Sequence, residues 1–268
     1  MIVFERKVFS FFRYRKVVFP TLDGVSHLLA RMAPNDIVRF NYDGCLPPSR
    51  NLIDSFPVST IIIDLRQSLD RIWTGMRRTS CRQSLRRVEK ILERVRIVER
   101  TDAAAVDFLK LYNGLARAKN GLTRMSGRAL RRYLAAADVR VIYLDGRALC
   151  GHVNVGDPHG GRAGGLFAAN RRLEAGEHPV MCADLNRYLY WHEMQAYRAQ
   201  GRVSFDLGGL AHESPQTSRF NQFKLSFGGP IVDGYCYTFA GAGRLARMCV
   251  RAYEELRRSR IARAVPHI

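Results

Sequence analysis

The chain has 268 residues, 47% of them hydrophobic, and a formal net charge of +19 at pH 7. That length suits one large domain or two small ones, and the apolar share is ample for a buried core. Six cysteines (Cys45, Cys81, Cys150, Cys182, Cys236 and Cys249) are scattered without a CxxC pair, which argues against a zinc site or a disulfide framework and suits a reducing cytoplasm. The early apolar run VFSFF is short and flanked by charges, so no signal peptide is expected. No stretch approaches the roughly 18 apolar residues of a membrane span. The positive field attracts polyanions such as RNA, DNA, anionic lipid headgroups or phosphorylated small molecules. The expected location is the cytoplasm, with the inner face of the membrane as a peripheral site.

In chain order, residues 1–65 read as β-rich. KVFSFFRYRKVVFP and DIVRFNYD are aromatic and β-branched runs, DGVSHLLARM between them is a short helix, CLPPSRN is a loop, and STIIIDL is a short buried strand. From 66 to 98 the apolar residues fall largely at helical spacing, with a break expected near Thr79-Ser80. Arg66 to Arg100 holds 11 Lys/Arg against 4 Asp/Glu, a net +7. Two more helical runs follow, DAAAVDFLKLYNGLARAK and SGRALRRYLAAA. Three strand-like runs come next: VRVIYLD, RALCGHVNVGD and GRAGGLFAA. The first two are joined by Asp145-Gly146, a hairpin signal. A long helix opens at Pro179 and closes before Gly201. After it come the strand RVSFDLGG, a short helix around PQTSRFNQFKLSF, the strand PIVDGYCYTFA, and a last basic helix over 244–263 with 7 Arg against 2 Glu. This order predicts an α/β (α+β) fold with a mixed central sheet flanked by helices. Three parts are expected: a reduced β-rich N-terminal portion (1–65), a core (66–243) and the basic C-terminal helix (244–268).

The element order resembles the GNAT acyltransferase fold. Three segments narrow the likeness. MRRTSCRQSLRRVEK, VSFDLGGL and FNQFKLSFGG resemble, in that order over about residues 60–240, three motifs of the Fem-type branch, the peptidoglycan-bridge aminoacyltransferases and their acetyltransferase-like relatives. The resemblance implies an N-acyltransferase that takes an acyl group from a thioester, acyl-CoA or acyl-carrier protein, as co-substrate. The acceptor would be an amine of a sugar or small metabolite. No permanently bound cofactor and no metal is implied. An aminoacyl-tRNA donor is the alternative within that class. A non-catalytic RNA- or membrane-binding protein of the same fold is the alternative outside it.

Acyl transfer needs the donor phosphates held, the carbonyl oxygen stabilised as it becomes an oxyanion, and a proton removed from the amine. For the phosphates, the loop before Pro179 offers Arg171, Arg172 and Gly176 near a helix N-terminus, although Glu174 and Glu177 oppose them and a polar surface loop reads as well. Phe167 on the preceding strand joins the donor side. For the carbonyl, Lys224 is the one cation among aromatics and a Gly-Gly. It is either a charge held beside the reaction or a lysine with its stem on apolar surface and its head in water. Asp206, closing its strand before Leu-Gly-Gly, either handles the amine proton or caps a turn. Tyr235 is a candidate proton donor. Arg82 and Arg86, four apart on the basic helix, match arginines of the resembled motif and are expected to bind a phosphate-bearing substrate. Phe223 and His152 complete the acceptor side, although a strand histidine more often completes a core hydrogen-bond set.

Overall fold

A computed structural model describes residues 1–8, 12–44, 46, 49–119, 122–157, 159–174, 178–211 and 215–263. They form two compact units. The first comprises Met1–Thr60, Gly209–Ser218 and Ile231–Ile268, and the second Ile61–Gly208 and Arg219–Pro230.

In the first unit, β1 (Ile2–Val8) and β2 (Phe12–Val18) are antiparallel. The aromatic run from Lys7 therefore contributes to two strands. α1 (Leu22–Ala30) then carries the chain to β3 (Asp36–Tyr42), parallel to β2. Thr21 opens α1, its hydroxyl accepting from the Gly24 N–H, as helix caps do. β10 (Ile231–Ala240) pairs antiparallel with β3 and neighbours the start of β4 (Leu52–Asp64). Alternation along these strands serves both faces. Val38, Phe40, Tyr237 and Phe239 pack with Val25 of α1, whereas Ile37 and Ala240 pack with Ala246 and Val250 of α8 (Arg244–Arg263). β4 is longer than the short strand expected from STIIIDL. Pro57, a residue that demotes a strand in sequence, lies in its middle.

In the second unit the strand order is the end of β4, then β9 (Ser204–Gly209), β8 (Arg162–Asn170), β7 (Arg147–Gly156), β6 (Asp138–Leu144) and β5 (Val95–Glu99). The sheet is mixed: β8 and β9 are parallel, and the ladders from β8 to β5 are antiparallel. The β6–β7 hairpin turns at Asp145 and Gly146, with φ of 50° and 78°, as a two-residue turn of this hand requires. The helical reading of 66–98 holds only in part. α2 (Leu69–Gly75) is followed by a π-helical turn at Arg78–Arg82, on the expected break, and by α3 (Gln83–Glu89). The chain then leaves the helix, and Val95–Glu99, rich in β-branched residues, pairs with β6.

α4 (Asp102–Ala118) and α5 (Gly127–Leu134) cover one face, where Phe108, Leu111 and Leu130 meet Val139, Val141 and Val153. α3 and α6 (Pro179–Ala199) cover the other, where Val88, Leu185 and Leu189 meet Ile142 and Cys150. α7 (Pro215–Leu225) ends in a turn at Gly228, whose φ is +82° and where an added Cβ would lie 2.0 Å from the Gly75 carbonyl oxygen. Gly228→Ala is therefore expected to cost on the order of 2–4 kcal/mol. A denaturant midpoint equal to that of the wild type would contradict this.

Candidate active site

β8 and β9 are paired through Arg162↔Ser204, Ala163↔Phe205 and Gly164↔Asp206, and the ladder stops there. Both strands run on beyond this last pair. On its other edge β8 carries an extra residue. Val153 faces Phe167 and Asn154 faces Gly165, which leaves Leu166 in a bulge. Bulges re-aim side chains next to sites of binding.

Lys224 comes into this region from the end of α7. Only 6% of it is exposed, so the head-in-water alternative does not hold. A Cβ on Gly208 would sit 3.3 Å from Nζ, so the ammonium lies close against the glycine backbone, which has a φ of +80°. Nζ lies 4.6 Å from the centroid of the Phe220 ring. Burial lowers the Lys224 pKa to about 8, and the Asp206 charge acts against that fall. Asp206 Oδ1 accepts a hydrogen bond from the Gly208 N–H at 2.7 Å. Asp206 thus caps its turn and faces the lysine as well. Tyr190 walls the region from α6, its ring 5.9 Å from Phe223 and 5.5 Å from Phe227. Burial, and then the Glu193 and Asp206 charges, push the Tyr190 hydroxyl above its usual range.

A cavity of about 450 Å³ opens along β8, lined by Tyr112, Leu115, Leu122, Leu166 and Phe167, with Lys119 among them. Phe167 meets Tyr133 edge-on at 4.8 Å and Tyr112 at 5.8 Å. Burial foremost, and then the charge of Arg172, lower the Lys119 pKa.

The remaining candidates divide. Arg172 is exposed. Arg171 donates to Glu174 at 2.5 Å and to the Ala148 carbonyl at 2.8 Å, so its guanidinium holds the loop to the sheet instead of standing open to a donor. Gly176 lies outside the described residues. His152 is 1% exposed, with Nδ1 2.9 Å from Glu193 and Nε2 3.0 Å from Asn186. It presents no ring nitrogen to a ligand, and the expectation that it binds the acceptor gives way to the core reading. Arg86 is exposed, and Arg82 is half-buried with its Nε unpartnered among the described residues. Tyr235 lies in the first unit, exposed, its ring 5.9 Å from that of Tyr237.

Two residues escaped the sequence reading. Asn154 is fully buried, and neither side-chain polar atom has a partner among the described residues. It sits at the bulge, where a Cβ on Gly165 would lie 3.5 Å from its Oδ1. An orphan amide in a buried strand calls for a partner, such as a water or a ligand. The only hint in sequence was one asparagine at an inward position of HVNVGD. The other is Arg187, on α6.

The strand order, the bulge on β8 and the covering helices form a mixed α/β fold similar to that of FemX. Among solved structures, FemX is similar at 12% identity with a TM-score of 0.60, over 88% of this chain and 83% of that one. The L-PGS from Bacillus licheniformis is similar at 12% identity with a TM-score of 0.55, over 93% of this chain and 84% of that one. The C-terminal domain of a protein provisionally designated a lysylphosphatidylglycerol synthetase, from Agrobacterium fabrum, is similar at 14% identity with a TM-score of 0.57, over 92% and 83%. At these identities the likeness is one of fold. No family model and no curated protein matches the chain in sequence.

Proposed function

We propose that the chain is an acyltransferase that moves an acyl group from a phosphate-bearing thioester, acyl-CoA or an acyl-carrier protein, to an amine of a sugar or small metabolite. The observation that carries this reading is the Lys224 ammonium, buried near Asp206, the last residue of β9 paired with β8. The amine nitrogen attacks the thioester carbonyl. A C–N bond forms, the C–S bond breaks, and negative charge passes from the carbonyl oxygen to the departing sulfur. A cation screened from water stabilises that charge more than one in bulk solvent does. Lys224 takes this role, and Asp206 accepts the proton that the amine loses. The apolar cavity beside Leu166 and Phe167 suits the acyl chain. No metal or resident cofactor enters these steps. The test is incubation with labelled acyl-CoA or acyl-carrier protein and a panel of amines, beside mass spectrometry of any co-purified ligand. Thiol release with formation of an acylated amine is expected. No thiol release from any donor would end the thioester reading.

One observation favours a second reading, an aminoacyl-tRNA donor: the net charge of +19, with +7 over residues 66–100. The name lysylphosphatidylglycerol synthetase, given provisionally to a protein of similar fold, denotes an aminoacyl product on an anionic lipid. On this reading the protein works at the cytoplasmic membrane face; no helix among the described residues is long and apolar enough to cross a membrane. Binding to tRNA or to anionic vesicles should weaken steeply with salt, and neutralising Arg82 and Arg86 should flatten the slope. A wild-type protein that binds neither at low salt would remove this reading, and with it the non-catalytic RNA- or membrane-binding alternative.

A further inference from the structure

Arg187 lies in the third turn of α6, half-buried. Its guanidinium sits 4.7 Å from the centroid of the ring of Phe223, the residue before Lys224. Among the described residues its one hydrogen bond is long, from Nη1 to the Ala183 carbonyl at 3.5 Å, and its Nε is buried without a partner. The carboxylate whose charge it feels is Asp184, and both oxygens of Asp184 already accept from Arg87, at 2.6 and 2.8 Å. The other nearby group able to carry negative charge is the Cys81 thiol. Burial pushes that thiol up to about 12, so it is neutral at physiological pH. Arg87 and Arg172 add like charge around the same guanidinium. One residue past Cys81, the Nε of Arg82 is likewise buried and unpartnered.

Three arginines thus share one carboxylate, and Arg87 takes both of its oxygens. A buried charge without a partner destabilises the fold. Arginine cannot relieve the strain by losing its proton under ordinary conditions. The usual resolution is a ligand that supplies the opposite charge, and a flat guanidinium held against an aromatic face presents its N–H fork ready for two phosphate oxygens. We propose that Arg187, with Arg172 as a second cation, seats a phosphate group of the acyl donor. The donor's phosphate is thereby moved from the Arg171 loop to the helix face beside Phe223. The identity of that donor rests on the acyl-transfer reading; the anion site does not.

Calorimetric titration with inorganic pyrophosphate and with CoA tests it, beside thermal melts. Wild-type protein is expected to bind pyrophosphate. Arg187→Met should weaken that binding by about 10-fold or more while raising the melting temperature by about 2–4 °C, because a partly desolvated charge with no carboxylate of its own is removed. Arg172→Ala, at an exposed position, should weaken binding with no change in melting temperature. Lys224→Met should bind pyrophosphate as the wild type does, which separates this site from the chemistry. Tighter binding of CoA than of pyrophosphate would support a nucleotide donor at this site, whereas equal binding would support a site for the phosphate alone. If wild-type protein binds neither probe, or if Arg187→Met binds pyrophosphate unchanged, the proposal fails. A lower melting temperature in Arg187→Met, with binding intact in Arg172→Ala, would make Arg187 structural and overturn it too.

Discussion

Replacing Lys224 with methionine is expected to lower turnover by roughly 100-fold or more, the scale for losing a group that stabilises an oxyanion. Substrate affinity should move much less, because the charge acts mainly in the transition state. The same substitution should make the protein more stable. A lysine whose pKa falls from 10.5 to about 8 on folding carries a penalty on the order of 3 kcal/mol in its charged form, at about 1.4 kcal/mol per unit. Between pH 8 and 10.5 the unfolded chain holds the proton that the folded one has released. Wild-type stability therefore rises with pH across that window. The penalty is whole below pH 8 and gone above 10.5, so the advantage of Lys224→Met should shrink over the same range. Turnover should do the opposite and fall above about pH 8 as the ammonium loses its charge, and Lys224→Met should lack that falling limb. Lys224→Arg should not restore activity, because Gly208 and the Phe220 ring leave room for a compact head and not for a planar fork. Near-normal turnover in Lys224→Met would leave the lysine without a catalytic role.

The largest loss of stability is expected from Glu193→Ala, on the order of 3–5 kcal/mol. Glu193 is 0% exposed and lies 2.9 Å from His152. Arg140, also 0% exposed, stands with its guanidinium over the Tyr197 ring at 4.9 Å and 3.2 Å from Glu99. Burial alone would lower the Arg140 pKa; the Tyr197 hydroxyl, Glu193 and Glu99 outweigh it and raise it. Glu99 is itself held near 2, first by its hydrogen bond with His192 and also by Arg140, against burial. Removing Glu193 would leave a buried guanidinium short of a counter-charge and His152 short of a partner. Glu193→Gln, which keeps the volume and one acceptor, should cost less. A denaturant midpoint for Glu193→Ala within experimental error of wild type would mean that the network carries no weight in folding.

Most of the second unit was legible because its signals are local. Proline and glycine bracket α6, and Asp145-Gly146 makes a turn only residues of that kind make readily. β5 was hidden because Val95, Ile97 and their charged neighbours satisfy a helical spacing almost as well as an alternating one. β4 was hidden by Pro57. For the site, Lys224 and Asp206 stood out as lone charges among apolar or glycine neighbours, and that contrast survives folding. Arg187 did not stand out, being one arginine in an arginine-rich chain. Only the pairing of Asp184 with Arg87, from a helix far away in sequence, makes it different. Arg171 misled for the converse reason: Glu174, three residues on, takes up its charge.

The chain passes from the first unit to the second and back twice. On a ribosome, the first unit must wait for β10 before β3 has its antiparallel neighbour, and the second must wait for residues 219–230, which bring in Lys224. Folding one unit at a time from the N-terminus is closed to this chain. Both units stay incomplete until nearly all of it has emerged, with strand edges open for that time. No single cut frees either unit whole, and a product ending at residue 208 would lack the lysine entirely. Such a chain is expected to be inherited, truncated or fused only as one piece, and to lean on chaperones during synthesis more than its size suggests.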